Sequence, residues 1–191
     1  ASSIAQTSAT LNGDISQDGS AELAERGFRY GTTDSYGQTV SDPVTSSITF
    51  EKQWGSSGSG INEFNVGLYV KTDSQGNVYV SDTSNNRVQK FDNDGNFLLQ
   101  WGTVADGGQL IAPAGLAIDS QDNIFVAENS GNRIKKYTPQ GAFISSWQVT
   151  GSGGPPILSG LAIDASDNVY SVQTNYTRVQ KFNSNGFLLT Q

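Results

Sequence analysis

The chain has 191 residues, of which 35% are hydrophobic and 15% charged, so it is long enough to bury the core of an ordinary domain. Its 11 basic and 18 acidic residues give a net charge of -7, which argues against a nucleic acid or an anionic membrane as partner. Cysteine, histidine and methionine are absent, which excludes disulfides, thiolate chemistry, Cys/His zinc sites and any reaction that depends on imidazole.

The first 45 residues predict two or three short strands around turns, in residues 8–15 and 24–33. This segment resembles the middle of a bacterial immunoglobulin-like or fibronectin type III-like module. We expect residues 1–45 to be a partial module of this kind, separate from residues 46–191. Because two-stranded pieces bury too little surface to be stable alone, the segment should pack on a neighbour or pair with one.

The rest of the chain repeats with a period of about 45 residues. Each unit contains four short apolar runs rich in Val, Ile, Phe and Tyr, separated by Asp, Asn, Gly and Ser, which is typical of antiparallel strands with tight turns. A Gly-Leu pair opens the first run of each unit, at Gly67, Gly115 and Gly160. Three four-stranded units of this length predict three β-propeller blades in an all-β fold.

The second unit shows the pattern most fully, with Gly115-Leu-Ala-Ile-Asp, Asn123-Ile-Phe-Val-Ala-Glu, Gly131-Asn-Arg-Ile-Lys-Lys-Tyr and Gly141-Ala-Phe-Ile. These motifs resemble the NHL repeat, and the resemblance covers residues 48–191. It implies a propeller of NHL type, whose ring closes with more than three blades. The family's usual histidine is replaced here by asparagine or threonine, so the resemblance implies no histidine-dependent role.

An orphan strand precedes the three units. Residues 48–54 resemble a fourth strand without the three strands that should come before it, since Trp54 lies close to one period before Trp101. Three blades and one orphan strand leave open sheet flanks. We therefore expect Ile48, Phe50 and Trp54 to take part in assembly with other copies of the chain, as a closed ring or as a filament.

Three aspartates, Asp73, Asp119 and Asp164, end the first run of each unit. They are weak candidates for presenting carboxylates to a calcium ion on the ring axis. The alternative, which we favour, is an Asx-turn in which each carboxylate accepts hydrogen bonds from its own loop. Since the sequence contains no complete multi-ligand loop, we expect no cofactor, with calcium as the alternative.

Two further residue types recur with the period of the repeat. The arginines could form a ligand-binding ring, but ion pairs or hydrogen bonds to the backbone are the better account. The tryptophans could stack sugars, although their recurrence favours packing between blades. These residues are Arg87, Arg133 and Arg178, and Trp54, Trp101 and Trp147.

One modification motif is present. Asn175-Tyr-Thr177 is an acceptor for N-glycosylation, on a hairpin of the last unit that we expect to be exposed.

The lack of histidine, cysteine and any catalytic constellation favours a non-enzymatic module with a structural or interaction role, as a subunit of a homo-oligomeric or filamentous assembly. Other copies of the chain are the expected partners, and other extracellular proteins or glycans are further candidates; we expect no nucleic acid and no membrane insertion. The alternative is a ligand-binding propeller or a metal-dependent, lyase-like enzyme with its site on the ring axis. Because the chain starts Ala-Ser-Ser and contains no methionine, we expect a processed protein that is secreted or at the cell surface.

Overall fold

The computed structural model describes residues 51–66, 69–103, 108–150 and 156–190, and the backbone of two earlier strands. The chain divides into two compact units, Ala1–Glu51 and Lys52–Gln191. In the first unit, β1 (Arg26–Tyr30) and β2 (Gln38–Asp42) form an antiparallel pair. The rest of the expected immunoglobulin-like segment lies outside the described residues.

The second unit contains three four-stranded antiparallel sheets, in each of which the spatial order of the strands follows the chain. A short parallel pair, β3 (Ser56–Ser57) and β4 (Glu63–Phe64), precedes them. Blade 1 consists of β5 (Val70–Thr72), β6 (Val78–Asp82), β7 (Arg87–Phe91) and β8 (Phe97–Trp101), with a 3-10 turn at Thr83–Asn85. Blade 2 consists of β9 (Pro113–Ile118), β10 (Ile124–Glu128), β11 (Arg133–Tyr137) and β12 (Phe143–Gln148). Blade 3 consists of β13 (Leu158–Ile163), β14 (Val169–Gln173), β15 (Arg178–Phe182) and β16 (Leu188–Thr190). The all-β fold built of four-stranded propeller blades is confirmed.

Each blade has two distinct ends, because its strands run antiparallel. The turns that join the first strand to the second, and the third to the fourth, lie at one end, which we call the hairpin end. The turns that join the second strand to the third lie at the opposite end, together with the connections from blade to blade. We call this the crossover end.

The hydrophobic core lies between consecutive blades. One cluster joins blade 1 to blade 2 through Tyr79, Val88, Trp101, Leu110, Leu116, Ile124, Val126 and Tyr137. A second joins blade 2 to blade 3 through Ala117, Phe125, Ala127, Ile134, Val149, Leu158, Val169 and Phe182. A blade therefore buries its apolar side chains mainly against the next sheet, as layered β architectures require.

The tryptophans pack from one blade onto the next. The centroid of the Trp101 ring lies 5.7 Å from that of Tyr137 in blade 2. A Cβ atom at Gly141, whose φ is +80°, would lie 3.0 Å from the same indole ring. Trp147 repeats the arrangement against Phe182 in blade 3, with ring centroids 6.0 Å apart. These indoles pack between sheets and do not line the axis.

The expected orphan strand is not a strand where the structure describes it. Ile48 and Phe50 lie outside the described residues, and residues 51–55 adopt no regular structure, since no described strand pairs with them. Trp54 nevertheless lies 6.0 Å from Phe91, between ring centroids, as the later tryptophans do on their own next blade. Phe64 packs on the same ring at 5.9 Å. These two side chains therefore cover Phe91 on the face of blade 1 that points away from blade 2.

The innermost strands of blades 2 and 3 approach closely at a glycine. A Cβ atom at Gly115 would lie 2.8 Å from the Cα atom of Gly160 and 2.8 Å from the backbone nitrogen of Leu161. Real Cβ atoms essentially never come so close. At the equivalent position of blade 3, a Cβ atom on Gly160 would meet no atom within 4 Å.

This difference predicts opposite outcomes for two matched substitutions. Gly115→Ala should lower the free energy of unfolding by about 1–3 kcal/mol, because the added methyl group pushes the two inner strands apart. Gly160→Ala should change it by less than about 1 kcal/mol, since the methyl group enters open space and alanine suits a strand better than glycine. Urea denaturation of both variants beside the unmodified protein measures this, and equal losses would contradict the account.

Candidate functional site

An aspartate at the hairpin end of blade 1 gathers several donors. The Asp73 carboxylate accepts hydrogen bonds from the backbone N–H groups of Gln75 (3.0 Å) and Asn77 (2.8 Å). The Asn77 side-chain amide (2.8 Å) and the Tyr79 hydroxyl (3.0 Å) also donate to it. The Lys90 ammonium lies 3.5 Å away. These contacts combine an Asx-turn with an ion pair. The carboxylate therefore links the first turn of the blade to Tyr79 on the second strand and to Lys90 on the third.

The other blades repeat this cluster with small changes. Lys136 lies 3.0 Å from Asp119, and Lys181 lies 3.4 Å from Asp164, which also accepts a hydrogen bond from Tyr170 at 2.9 Å. Each of the three lysines also lies over the aromatic ring of its blade's second strand, 4.8–5.1 Å from the ring centroid. The sequence analysis missed the lysines as partners of the aspartates, although each recurs just before the aromatic residue that ends the third run.

Hydrogen bonding lowers the pKa of two of these carboxylates, Asp73 and Asp164. Donation from the side chain and backbone of Asn168, with a smaller part from Tyr170, lowers the pKa of Asp164 well below its ordinary value. For Asp73, burial acts to raise the pKa, but the hydrogen bonds together outweigh burial and the net pKa is lowered. Burial, followed by the hydrogen bond to Asp73, raises the pKa of Tyr79.

Adjacent blades are also joined at the hairpin end. The Ser74 backbone N–H (2.9 Å) and hydroxyl (2.6 Å) both donate to the Asp122 carboxylate of blade 2. Ser120 makes the same two bonds to Asp167 of blade 3, at 2.9 and 2.7 Å, and they lower the pKa of Asp167. Each of these turns is thereby fixed to the next.

The three candidate aspartates do not form one metal centre. Each lies in its own blade beside its own lysine. Within the part of the chain that the structure describes, no three His, Cys, Asp or Glu side chains come together to hold a metal ion. An ammonium group beside each carboxylate opposes a cation there, so these residues do not fit a calcium site.

At the crossover end, Arg87 connects blade 1 to the segment that enters it. Its guanidinium is buried and donates to Asp82 at 2.8 Å. It also donates to the carbonyl oxygens of Gly60 and Glu63, at 2.7 and 2.8 Å. Its environment is structural, because each of these contacts holds backbone or a buried carboxylate in place.

The other two recurring arginines differ from the first. Arg178 donates to Gln173 at 2.8 Å and to the carbonyl oxygen of Thr150 at 2.7 Å. Arg133 is exposed instead. In blade 2 it is Lys135 that pairs with the buried acid, at 3.2 Å from Glu128. Three arginines that recur in the sequence therefore do not form a ring of equivalent groups.

The inner strand of blade 1 departs from the other two. Strand pairing makes Val70 of blade 1 equivalent to Leu116 and Leu161, so Tyr69, the residue before it, corresponds to Gly115 and Gly160. In the sequence, the Gly-Leu pair at 67–68 comes two residues before this position. In the same alignment, Lys71 is equivalent to Ala117 of blade 2 and Ala162 of blade 3. Tyr69 is 41% exposed and Lys71 is also exposed, although blade 2 lies beside them. Blade 1 thus exposes two large polar side chains at positions of its inner strand where blades 2 and 3 have only small residues.

Lys71 is also distinctive by its charge. Five of the six lysines form an ion pair with a carboxylate in the structure, namely Lys52, Lys90, Lys135, Lys136 and Lys181. The Lys71 side chain forms no ion pair or hydrogen bond among the described residues, although its backbone is part of the β5–β6 pair. Sequence reasoning overlooked it, because the shifted Gly-Leu pair hid its equivalence to the alanines.

The acceptor motif for glycosylation lies on the turn between the second and third strands of blade 3. Asn175 is exposed, and its side-chain oxygen accepts a hydrogen bond from the backbone N–H of Ile157 at 2.9 Å. Its modification stays a prediction.

Comparison with known proteins gives one family match. Residues 63–155, just under half of the chain, match the family described as SMP-30/Gluconolactonase/LRE-like region. No curated protein matches the chain. The described residues include no helix long and apolar enough to cross a membrane.

Several solved structures resemble the chain. Virginiamycin B lyase from Staphylococcus aureus is 15% identical with a TM-score of 0.53, over 64% of this chain and 39% of the lyase. Hydrazine synthase from Kuenenia stuttgartiensis is 14% identical with a TM-score of 0.53, over 65% of this chain and 34% of that one. A Bacteroides fragilis protein described as exported is 16% identical with a TM-score of 0.54, over 92% and 44%. These likenesses support the β-propeller fold, and the chain spans less than half of each relative.

The prediction of a non-enzymatic structural module, assembled as a homo-oligomer or filament, is wrong. The family match, over residues 63–155, favours the alternative, an enzyme-like propeller. The error came from treating missing histidine and cysteine as decisive, although lysine and tyrosine also serve in acid–base and electrostatic catalysis. The expected absence of a cofactor has no support either. The predicted partners and the predicted secretion stay predictions.

The hairpin-end carboxylates predict how stability depends on pH. Because the pKa of Asp164 is lower in the folded than in the unfolded chain, its stabilising effect is present above a pH of about 4 and is lost as the pH falls through the folded pKa. The urea midpoint should therefore be level near neutrality and fall in acid. Asp164→Asn should reduce this fall, whereas Asp94→Asn, an exposed control, should not. An identical acid response in Asp164→Asn and the unmodified protein would refute this role.

The same contacts predict that folding does not require a metal ion. Since protein donors satisfy Asp73, Asp119 and Asp164, excess EDTA should change the melting temperature by less than about 2 °C. Calorimetry with EDTA, and with EDTA followed by excess Ca²⁺, measures the effect. A fall of more than about 10 °C, restored by Ca²⁺, would show that a site for the ion had been missed.

Proposed function

We propose that these three blades form part of a propeller enzyme of the hydrolase or lyase class, with its substrate site on the ring axis beside the inner strand of blade 1. The family match supports the class of reaction, since the family description names gluconolactonase. The location rests on one observation, the exposed pair Tyr69 and Lys71 where the other blades have glycine and alanine. In a repeat, a position that departs from the pattern without a packing reason is where function is expected.

The two side chains suit the opening of a cyclic ester. They are two residues apart on a strand and therefore project to the same face of the sheet. The Lys71 ammonium, which pairs with no carboxylate of the described residues, can stabilise negative charge that develops on a carbonyl oxygen. In hydrolysis, water attacks the carbonyl carbon, the ring C–O bond breaks, and the departing oxygen takes up a proton while the attacking water loses one. The Tyr69 hydroxyl can donate the proton to the departing oxygen and regain one from the water, and its ring offers an apolar face to the substrate.

A divalent cation such as Ca²⁺ would need ligands from outside the described residues. No step above depends on such an ion. The finer assignment, NHL-type blades after an immunoglobulin-like segment in residues 1–45, belongs to the same proposal.

A site on the axis also requires a neighbour for blade 3. Val172 and Val179 are 41% and 51% exposed, whereas their equivalents in blade 2, Ala127 and Ile134, are fully buried by blade 3. The open space at Gly160 lies on the same flank. The occupant that fits is a further four-stranded blade, because it would cover this flank as blade 3 covers blade 2.

The experiment is a hydrolysis assay with D-glucono-1,5-lactone, followed by pH-stat and corrected for spontaneous hydrolysis. Lys71→Met and Tyr69→Phe should each lower kcat/KM by about tenfold or more, as expected for groups that stabilise charge or move a proton. Lys52→Met is the matched control and should keep the unmodified rate. Lys52 pairs with Asp94, which lies on the turn between the two outer strands of blade 1 and not on the inner strand. Absence of turnover by the unmodified protein, or full activity of Lys71→Met, would refute the proposal.

A further inference from the structure

The charges around Lys71 leave its ammonium uncompensated. Asp73 lies two residues further along the strand, on the same face, but its carboxylate is only 2% exposed and is bound by Lys90 at 3.5 Å and Tyr79 at 3.0 Å. Asp122 at the same end is occupied by Ser74. No described carboxylate lies within ion-pair distance of Lys71, so its charge is available to a ligand.

Lys71 places an exposed cation without a described partner on an acidic protein. The chain carries a net charge of -7 and therefore repels small anions at a distance. An anionic ligand at this site must be held by direct, charge-assisted hydrogen bonds, which are about twice as strong as neutral ones. Because such bonds are short-ranged, the anion has to sit at the Lys71 ammonium itself.

Tyr69 defines the second contact. Its Cα atom lies about 7 Å from that of Lys71, the distance spanned by two residues of a strand. The aromatic ring is exposed on the same face and offers a surface on which the C–H groups of a sugar or similar ring can pack. A ligand that reaches both groups has an uncharged ring and one anionic substituent.

Resting on the proposed function, we infer that the substrate of the axis site carries a carboxylate, which Lys71 binds while Tyr69 packs against the ring beside it. The specificity of the site is then set by blade 1, because blades 2 and 3 have only alanine and glycine at the equivalent positions. The Lys71 ammonium has three N–H donors, so it can hold the carboxylate and also donate to the reacting carbonyl oxygen. Calorimetry measures the first role and the lactone assay measures the second.

The test compares D-glucuronate with D-glucose, two ligands that differ at C6 in a carboxylate against a hydroxymethyl group. Titration calorimetry should show that the unmodified protein binds glucuronate about tenfold tighter or more, a preference that weakens with added salt. Lys71→Met should bring the two affinities within about twofold, and Lys71→Arg should restore the preference. Lys52→Met is the control and should behave as the unmodified protein does.

Equal binding of the two sugars, no saturable binding of glucuronate, or an unchanged preference in Lys71→Met would overturn the inference. The outcome of the lactone assay does not depend on the outcome of this titration. A preference for glucuronate without lactone turnover would leave the ligand class standing and remove the enzymatic proposal. Lactone turnover without a preference for glucuronate would support the enzymatic proposal and refute the inference of a carboxylate on the substrate.

Discussion

The structure depends on the packing of each blade against the next. A single four-stranded sheet exposes two faces and cannot bury its apolar side chains alone. Here the ring of Tyr137 is covered by Trp101 of the preceding blade, and Phe182 is covered by Trp147 in the same way. The turn glycines beneath the indoles are required because a side chain would occupy the space of the ring. Sequence repetition is thus a direct consequence of repeated burial.

Polar contacts at the two ends of each blade hold its turns and connections in place. At the hairpin end the contacts are conserved from blade to blade, with Asp, Lys and an aromatic ring in each. At the crossover end the same task is performed by different residues, a buried Asp82–Arg87 pair in blade 1 and a buried Glu128–Lys135 pair in blade 2. Because Lys135 has taken over the pairing, Arg133 is released to solvent. Equivalent residues in a repeat therefore need not have equivalent roles.

The sequence was sufficient to predict the blades, since period, apolar runs and turn residues all reflect local requirements. It was not sufficient for the inner strand of blade 1. The sequence suggests the Gly-Leu pair at 67–68 as the start of that strand, but strand pairing gives this position to Tyr69 and Val70, two residues later. Nor did it reveal the lysine partners of the aspartates, because they meet across strands. The relationship to a family that includes gluconolactonase was missed because the absence of histidine removes familiar constellations. Lysine and tyrosine remain, and their roles depend on exposure and on which carboxylates are already paired.

The departure of blade 1 at Tyr69 is compatible with the fold for a physical reason. Between blades 2 and 3, the inner strands come so close at Gly115 that no side chain fits. The cluster between blades 2 and 3 includes Ala117 of the inner strand β9, whereas the cluster of described residues between blades 1 and 2 includes none from β5. The inner strand of blade 1 can carry large side chains because burial does not depend on close contact there. A position freed from packing in this way is one at which a repeat protein can acquire a ligand site without losing its core.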